Sequence, residues 1–279
     1  MSVATIRDSA RSWFPHGPRD LAFQAALWLS FVFGYQVVQA GAGHDRVQAL
    51  NNGLRVIELE REFGYRLLEL RVQDLALDST VLHALTTLVY RTSEFVVIAL
   101  ALLWVYLRRN TAFRQLRNTL IVTSLLALVA FYAFPTAPPR AFAALGFVDT
   151  ARGTSGPASG HGFELLPSNQ YAAMPSLHSA DALIIGVGLA LLVNSRMAKV
   201  AWVLWPLVVW FSVLATANHF WLDVVAGIAL AGVGALAVAV SPRALRPLTR
   251  AARPRPSVND GAALTLADAP EPRTSPIQP

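Results

Sequence analysis

Long apolar runs alternate with short basic ones along most of this chain. Residues 21–39 pass without a charge. A second run ends at Leu107, before Arg108-Arg109, and counting back the roughly 20 residues that a bilayer core needs puts its start near Leu88. A third covers about 116–134, a fourth follows Pro175 to about Val193, a fifth covers about 200–217 and a sixth about 220–240. Six membrane-spanning helices are predicted. Val38-Gln39-Ala40 looks like a signal-peptidase site, but the first run exceeds the roughly 7–15 apolar residues of a signal peptide, so an uncleaved span is expected.

Between the first two runs the pattern changes. Residues 41–78 carry seven acidic side chains and five arginines. Val56, Leu59, Phe63, Leu67 and Leu70 recur there at three- and four-residue spacing. The spacing predicts an amphipathic helix within 50–75, lying on the membrane surface or packed on the domain. A plain connector with a solvated face is the alternative. The other long connection, 135–175, begins Pro135-Thr136-Ala137-Pro138-Pro139-Arg140, where three prolines stop a helix and hold Arg140 just past its end. It continues rich in Gly, Ser and Ala. Residues 1–20 are short and polar, and 241–279 form a tail of Arg, Pro and Ala that reads as disordered. The expected fold is therefore an all-α polytopic membrane protein. Its one domain, 21–240, is a bundle of six transmembrane helices between an N-terminal segment (1–20) and a basic tail (241–279).

Composition agrees: 54% of residues are hydrophobic and only 14% charged, where a soluble domain carries about 25% charged residues. With no cysteine, disulfides, thiolate nucleophiles and cysteine–zinc sites are excluded. The net charge of +6 rests on 22 arginines and one lysine, Lys199. Nucleic-acid binding is the usual alternative for so basic a chain, but these arginines lie between apolar blocks, as a topology signal does. Arg108, Arg109, Arg114 and Arg117 fall in one short loop, Arg196 and Lys199 in another, and both termini are basic. The expectation is a plasma (inner) membrane protein with both termini cytoplasmic and residues 41–78 and 135–175 outside. Arg140, Ser176, His178, His219 and Asp223 then gather at the outer membrane face.

Those residues suggest phosphoryl chemistry. In Ala173-Met174-Pro175-Ser176-Leu177-His178, Pro175 suits a first helical turn. Ser176 and the N–H groups of that turn make an anion site, and His178 stands half a turn further in, able to exchange a proton. His219 follows much later with Asp223 four residues on, one turn of the same face.

Ala137-Pro138-Pro139-Arg140, Met174-Pro175-Ser176-Leu177-His178 and His219-x-x-x-Asp223 resemble the three signature blocks of the type 2 phosphatidic acid phosphatase superfamily. Pro-Ser-Leu-His in place of Pro-Ser-Gly-His makes the closer likeness to its inositol phosphorylceramide synthase-like branch. The resemblance implies a phosphohistidine on His219 with Asp223 holding its imidazole. It implies His178 as the acid that becomes a base, and Arg140 with Ser176 on the phosphate oxygens. It implies a lipid phosphate substrate, a lipid alcohol or water as acceptor, and no metal or cofactor. Zinc on His178, His219 and Asp223 is the metal alternative, without a recognised ligand spacing. Two cations of the phosphatase pattern are missing: a lysine is replaced by Ala133, and a Ser-Arg pair reads Ser212-Val213. The synthase-like branch also tends to lack both.

Arg91 is a candidate to supply a missing cation, or else pairs with Glu94. Asp181, one turn after His178, either orients that ring or pairs with Arg91. Arg152, His161 and Glu164 lie in the long loop within reach of a head group or merely solvated. Two rivals come from other classes. A transporter or flippase would line its path with Arg91, Glu94 and Asp181, but such folds tend to broken helices near the midplane. A non-catalytic scaffold leaves the His178, His219 and Asp223 set unexplained. Nucleic acid is not an expected partner, and oligomeric state is not legible.

Overall fold

Small polar residues start the helices. Asp45, Ser79, Ser176 and Ser195 each accept a hydrogen bond from the backbone N–H three residues on, at 3.0, 3.3, 3.3 and 3.5 Å. This N-cap arrangement satisfies a donor the helix itself cannot. The structure is a computed structural model and describes residues 16–41, 45–64, 67–150 and 169–241. In order, its helices are α1 (Pro18–Gly41), α2 (Arg46–Glu62), α3 (Leu68–Leu77), α4 (Thr80–Arg108), α5 (Asn110–Ala133), α6 (Leu177–Leu192), α7 (Arg196–Ala215) and α8 (Trp221–Ala239). Among the described residues there is no strand, only an isolated parallel bridge between Thr136 and Ala172. The chain divides into two units, Met1–Val238 and Ala239–Pro279. Most of the expected tail, residues 1–15 of the expected N-terminal segment 1–20, and Arg152, His161 and Glu164 lie outside the described residues.

Five helices, α1, α4, α5, α7 and α8, are long and apolar enough to cross a membrane. The fourth apolar run forms a shorter helix than expected. Helix α6 has 16 residues, about 24 Å at 1.5 Å per residue, against a hydrocarbon core of about 30 Å. Ser176 fixes its start, and Val193 leaves the helix at ψ 149°. Pro175 therefore lies ahead of the cap rather than in the first turn. Helix α4 begins at Thr80, well before Leu88, because Ser79 caps it.

The predicted amphipathic helix is two helices, α2 and α3, and its inner face is different. Ala49, Asn52, Gly53, Val56, Ile57 and Glu60 are buried, a 3-4-3-4 helical stripe, whereas Leu59 and Phe63 are 46% and 64% exposed. The stripe includes Asn52 and Glu60 because their side chains bond backbone groups near the site, as described below.

Among the described residues, three apolar clusters hold the fold. The largest joins Ile98, Leu102 and Val105 of α4, Leu116, Leu120 and Ala127 of α5, Ile185 and Leu189 of α6 and Ala231 of α8. A second joins Tyr90 of α4, Ala182 of α6, Val209 and Val213 of α7 and Val224 of α8. The third packs Val56 and Ile57 of α2 against Phe142, Phe147 and Phe220, so that α2 is fixed over the connections between the long helices.

Candidate active site

Backbone bonds between connections build the frame. Thr136 N–H donates to Tyr171 O at 2.7 Å and Ala173 N–H to Thr136 O at 3.2 Å. Ala137 N–H donates to Ala49 O at 3.0 Å, and Asn52 Nδ2 to Pro135 O at 2.9 Å. Arg140 N–H donates to Ala217 O at 3.0 Å and Ser176 N–H to Asp223 O at 2.9 Å. The last bond ties the start of α6 to the first turn of α8. Gly227, one turn further along α8, permits that approach: a Cβ there would lie 2.3 Å from Ser176 O.

On this frame the two histidine rings come within 5.8 Å, centroid to centroid. His219 precedes α8, delivered by a turn in which Ala217 takes φ +50°, a left-handed conformation uncommon for a residue with a Cβ. His219 Nδ1 lies 2.8 Å from Ala173 O and 3.5 Å from Asp223 Oδ2. A carbonyl can only accept, so Nδ1 carries the proton and Nε2 keeps a lone pair. Asp223 Oδ2 accepts from Phe220 N–H at 2.8 Å, which closes the helix start much as a capping box does.

His178 stands in the first turn of α6. Its Nε2 is 3.2 Å from Glu94 Oε2, and its ring stacks on Tyr90 at 4.6 Å. Tyr90 and Glu94 both come from α4, where residues Ser93–Val97 form a π-helical turn. Such a wide turn re-aims side chains and is frequent at functional sites.

The rings face a cleft lined by Tyr35, Gln36 and Gln39 of α1, Tyr90, Glu94 and Phe95 of α4, and Pro138, Arg140, Asn169, Gln170, Leu177, His178, Asn218 and His219, among others. Arg140 is its one cationic lining residue among the described residues, and its Nη1 donates to Asn218 Oδ1. Asn218 is itself braced by donating to Thr216 Oγ1 at 2.8 Å. Leu177 and His178, at the N-terminus of α6, line the cleft, and their N–H groups have no partner within a helix. That terminus and Arg140 together suit a phosphate group. Among the described residues, no three His, Cys, Asp or Glu side chains stand together so as to hold a metal ion.

The structure thus brings together His178, His219, Asp223 and Arg140. Ser176 is fully buried, with its Oγ accepting from Ser179 N–H and lying 2.9 Å from Ser179 Oγ. Its hydroxyl caps α6 instead of lining the cleft. Arg91 is half-buried and not among the lining residues. Asp181 is 5% exposed, with no partner for Oδ1 among the described residues, and the carboxylate found on His178 is that of Glu94. Val213 is fully buried in the second apolar cluster and Ser212 Oγ donates to Thr86 O, so neither position offers room for a cation.

Sequence reasoning missed Asn218, the polar side chains of α1 and the role of Glu94. Asn218 adjoins His219, and adjacency was its only signal. Gln36 and Gln39 lie inside an apolar run, where polar residues usually face the protein interior.

An all-helical integral membrane protein with paired histidines, an arginine and a helix N-terminus around one cleft defines a class: membrane enzymes that handle phosphate. The chain belongs to the PAP2 superfamily, whose model matches residues 54–237. Membership supports a phosphatase-type action on lipid phosphate. Helix α1 lies outside the matched region although it lines the cleft. No curated protein and no solved structure matches the chain.

Proposed function

We propose that the protein moves phosphoryl groups of membrane lipids through a phosphohistidine on His219. The observation that carries the reading is His219 itself: Nδ1 is held on Ala173 O at 2.8 Å, which leaves Nε2 as the nucleophile. In the first step Nε2 bonds to phosphorus as the bond to the leaving oxygen breaks, and His178 gives that oxygen its proton. Asp223 faces the positive imidazole that results. Arg140 and the start of α6 hold the phosphate oxygens as charge develops. In the second step His178 takes the proton of an incoming O–H, whose oxygen bonds to phosphorus while the P–N bond breaks. No step calls on a metal.

The acceptor decides the outcome: an alcohol gives transfer, water gives hydrolysis. Five side-chain amides line the cleft, from Gln36, Gln39, Asn169, Gln170 and Asn218. Each both donates and accepts, which matches a head group rich in hydroxyls. That lining supports transfer of a polyol phosphate, such as inositol phosphate, to a lipid alcohol, in line with the synthase-like branch. Simple hydrolysis of phosphatidic acid or an isoprenoid phosphate is the second reading, supported by superfamily membership. In both, α6 completes a six-span bundle with the cleft at the outer face and both termini cytoplasmic.

The test supplies purified protein in lipid micelles with head-group-labelled phosphatidylinositol, with or without diacylglycerol or ceramide. Label passing to a new lipid only when the alcohol is present supports transfer; phosphate release from phosphatidic acid supports hydrolysis. Both must vanish in His219→Ala, and turnover that survives the substitution rules out the nucleophile.

A further inference from the structure

Two buried carboxyl groups have no part in the steps above. Glu60, in the last turn of α2, and Glu69, in the first turn of α3, are each 0% exposed. Both turn onto the start of α8. Glu69 Oε1 accepts from Trp221 N–H at 2.7 Å, and Glu60 Oε1 from Leu222 N–H at 3.1 Å. Asp223 Oδ2 takes the preceding donor, Phe220 N–H. Three consecutive backbone donors, of the kind a helix leaves unpaired, are thus held by three different carboxyl groups. The remaining oxygens, Glu60 Oε2 and Glu69 Oε2, are buried and have no donor among the described residues. The two carboxyls also meet each other side chain to side chain; two neighbouring carboxylates out of water cannot both keep a charge, and one proton between them removes the conflict.

We propose that Glu60 and Glu69 form a proton-sharing carboxyl pair that clamps the first turn of α8 and thereby positions His219 and Asp223. The inference rests on the reading of His219 as the nucleophile. Burial, with Glu69 beside it, pushes the Glu60 carboxyl up to about 9, and burial raises Glu69 as well. The charged groups facing the pair are each other and Asp223 of α8, behind which stands His219. Neither glutamate lines the cleft, so both are positioning residues. Their geometry also accounts for the polar inner face of α2: Glu60 is buried in order to reach a helix start, not to meet solvent.

The experiment uses the full chain in detergent, with phosphatidic acid as probe substrate and Gln and Ala variants at both positions. Gln keeps an acceptor for the α8 N–H and brings its own donor for the partner oxygen. Glu60→Gln and Glu69→Gln are expected to keep native turnover. Glu60→Ala and Glu69→Ala are expected to lose roughly tenfold to a hundredfold in kcat at unchanged KM, as displaced catalytic groups do. Infrared spectra at neutral pH are expected to carry a protonated-carboxyl band that Glu60→Gln removes. Alanine variants with native kcat, or a band unchanged in both glutamine variants, overturn the proposal. If the native protein releases no phosphate from this probe, that substrate reading has failed while the clamp still answers to hydrogen exchange. Exchange at the Trp221 and Leu222 amides must quicken in the alanine variants, and unchanged exchange overturns it.

Discussion

Glu94 reaches from α4 to α6 and sets its Oε2 3.2 Å from His178 Nε2. The contact crosses two helices far apart in sequence, and the π turn at Ser93–Val97 aims it. Tyr90, on the same helix, closes the other side of the ring by stacking. His178 is therefore held in one orientation before any substrate arrives, and a carboxylate steadies the charge it carries while protonated.

Replacing Glu94 with Gln keeps an oxygen near His178 but removes that charge. Turnover is expected to fall about tenfold, while His178→Ala loses roughly a hundredfold or more, the usual share of a positioned acid–base group. Steady-state kinetics on phosphatidic acid checks the ranking. A Glu94→Gln enzyme as fast as the native one would reduce the contact to packing.

Asp223 has two tasks that one substitution can separate. Asp223→Asn keeps an acceptor for Phe220 N–H, so the start of α8 should survive, yet the charge facing His219 is gone. Trapping of the phosphoenzyme is expected to slow roughly a hundredfold, the scale of a lost transition-state electrostatic contact. Asp223→Ala loses the cap too, about 1 kcal/mol further in stability. Equal melting temperatures for the two variants would show that the cap contributes nothing.

The long spans were legible because a bilayer core demands apolar length, and five such helices are present among the described residues. The inner face of α2 was not. Leu59 and Phe63 look like core residues, yet they are exposed while Glu60 is buried. In a membrane protein apolar side chains gain little by turning inward, since lipid is as apolar as leucine, so hydrophobic spacing loses its power to tell inside from outside. The histidines, Asp223 and Arg140, which the fold brings together, became candidates because each lies in a short motif at a helix end. Glu94 was visible only as a charge in an apolar run, and its pairing with His178 depends on a π turn that no local pattern announced. Ser176 is the reverse case: its motif pointed to phosphate, and the structure shows its hydroxyl capping α6.

Gly227 tests the frame rather than the chemistry. A methyl group there would meet Ser176 O at 2.3 Å and Ser179 Cβ at 3.1 Å, and neither can move without shifting the start of α6. Gly227→Ala is expected to cost about 1–3 kcal/mol, the range for overpacking, and to lower turnover as His178 moves away. Gly232 lies on the same helix with nothing within 4 Å of its added Cβ. Gly232→Ala should instead stabilise by about 0.5–1 kcal/mol through helix propensity. Thermal unfolding in detergent distinguishes them, and a Gly227→Ala protein as stable as Gly232→Ala would mean the approach to Ser176 is loose.

The carboxyl pair makes stability depend on pH in a direction opposite to most carboxylates. Glu60 has a folded pKa of about 9 against an ordinary 4.5, so the native protein keeps a proton that the unfolded chain releases. Its contribution is full below about 4.5, falls as the pH rises, and is gone once the pH passes about 9. The melting temperature of the native protein should therefore decline between mildly acidic and alkaline pH. Glu60→Gln holds no ionisable proton at this site, so its curve should be flatter, meeting the native one in acid and lying above it in alkali. Parallel curves for the two proteins would show that Glu60 does not keep its proton in the fold, and that the α8 start is held by two carboxylates with both charges in place.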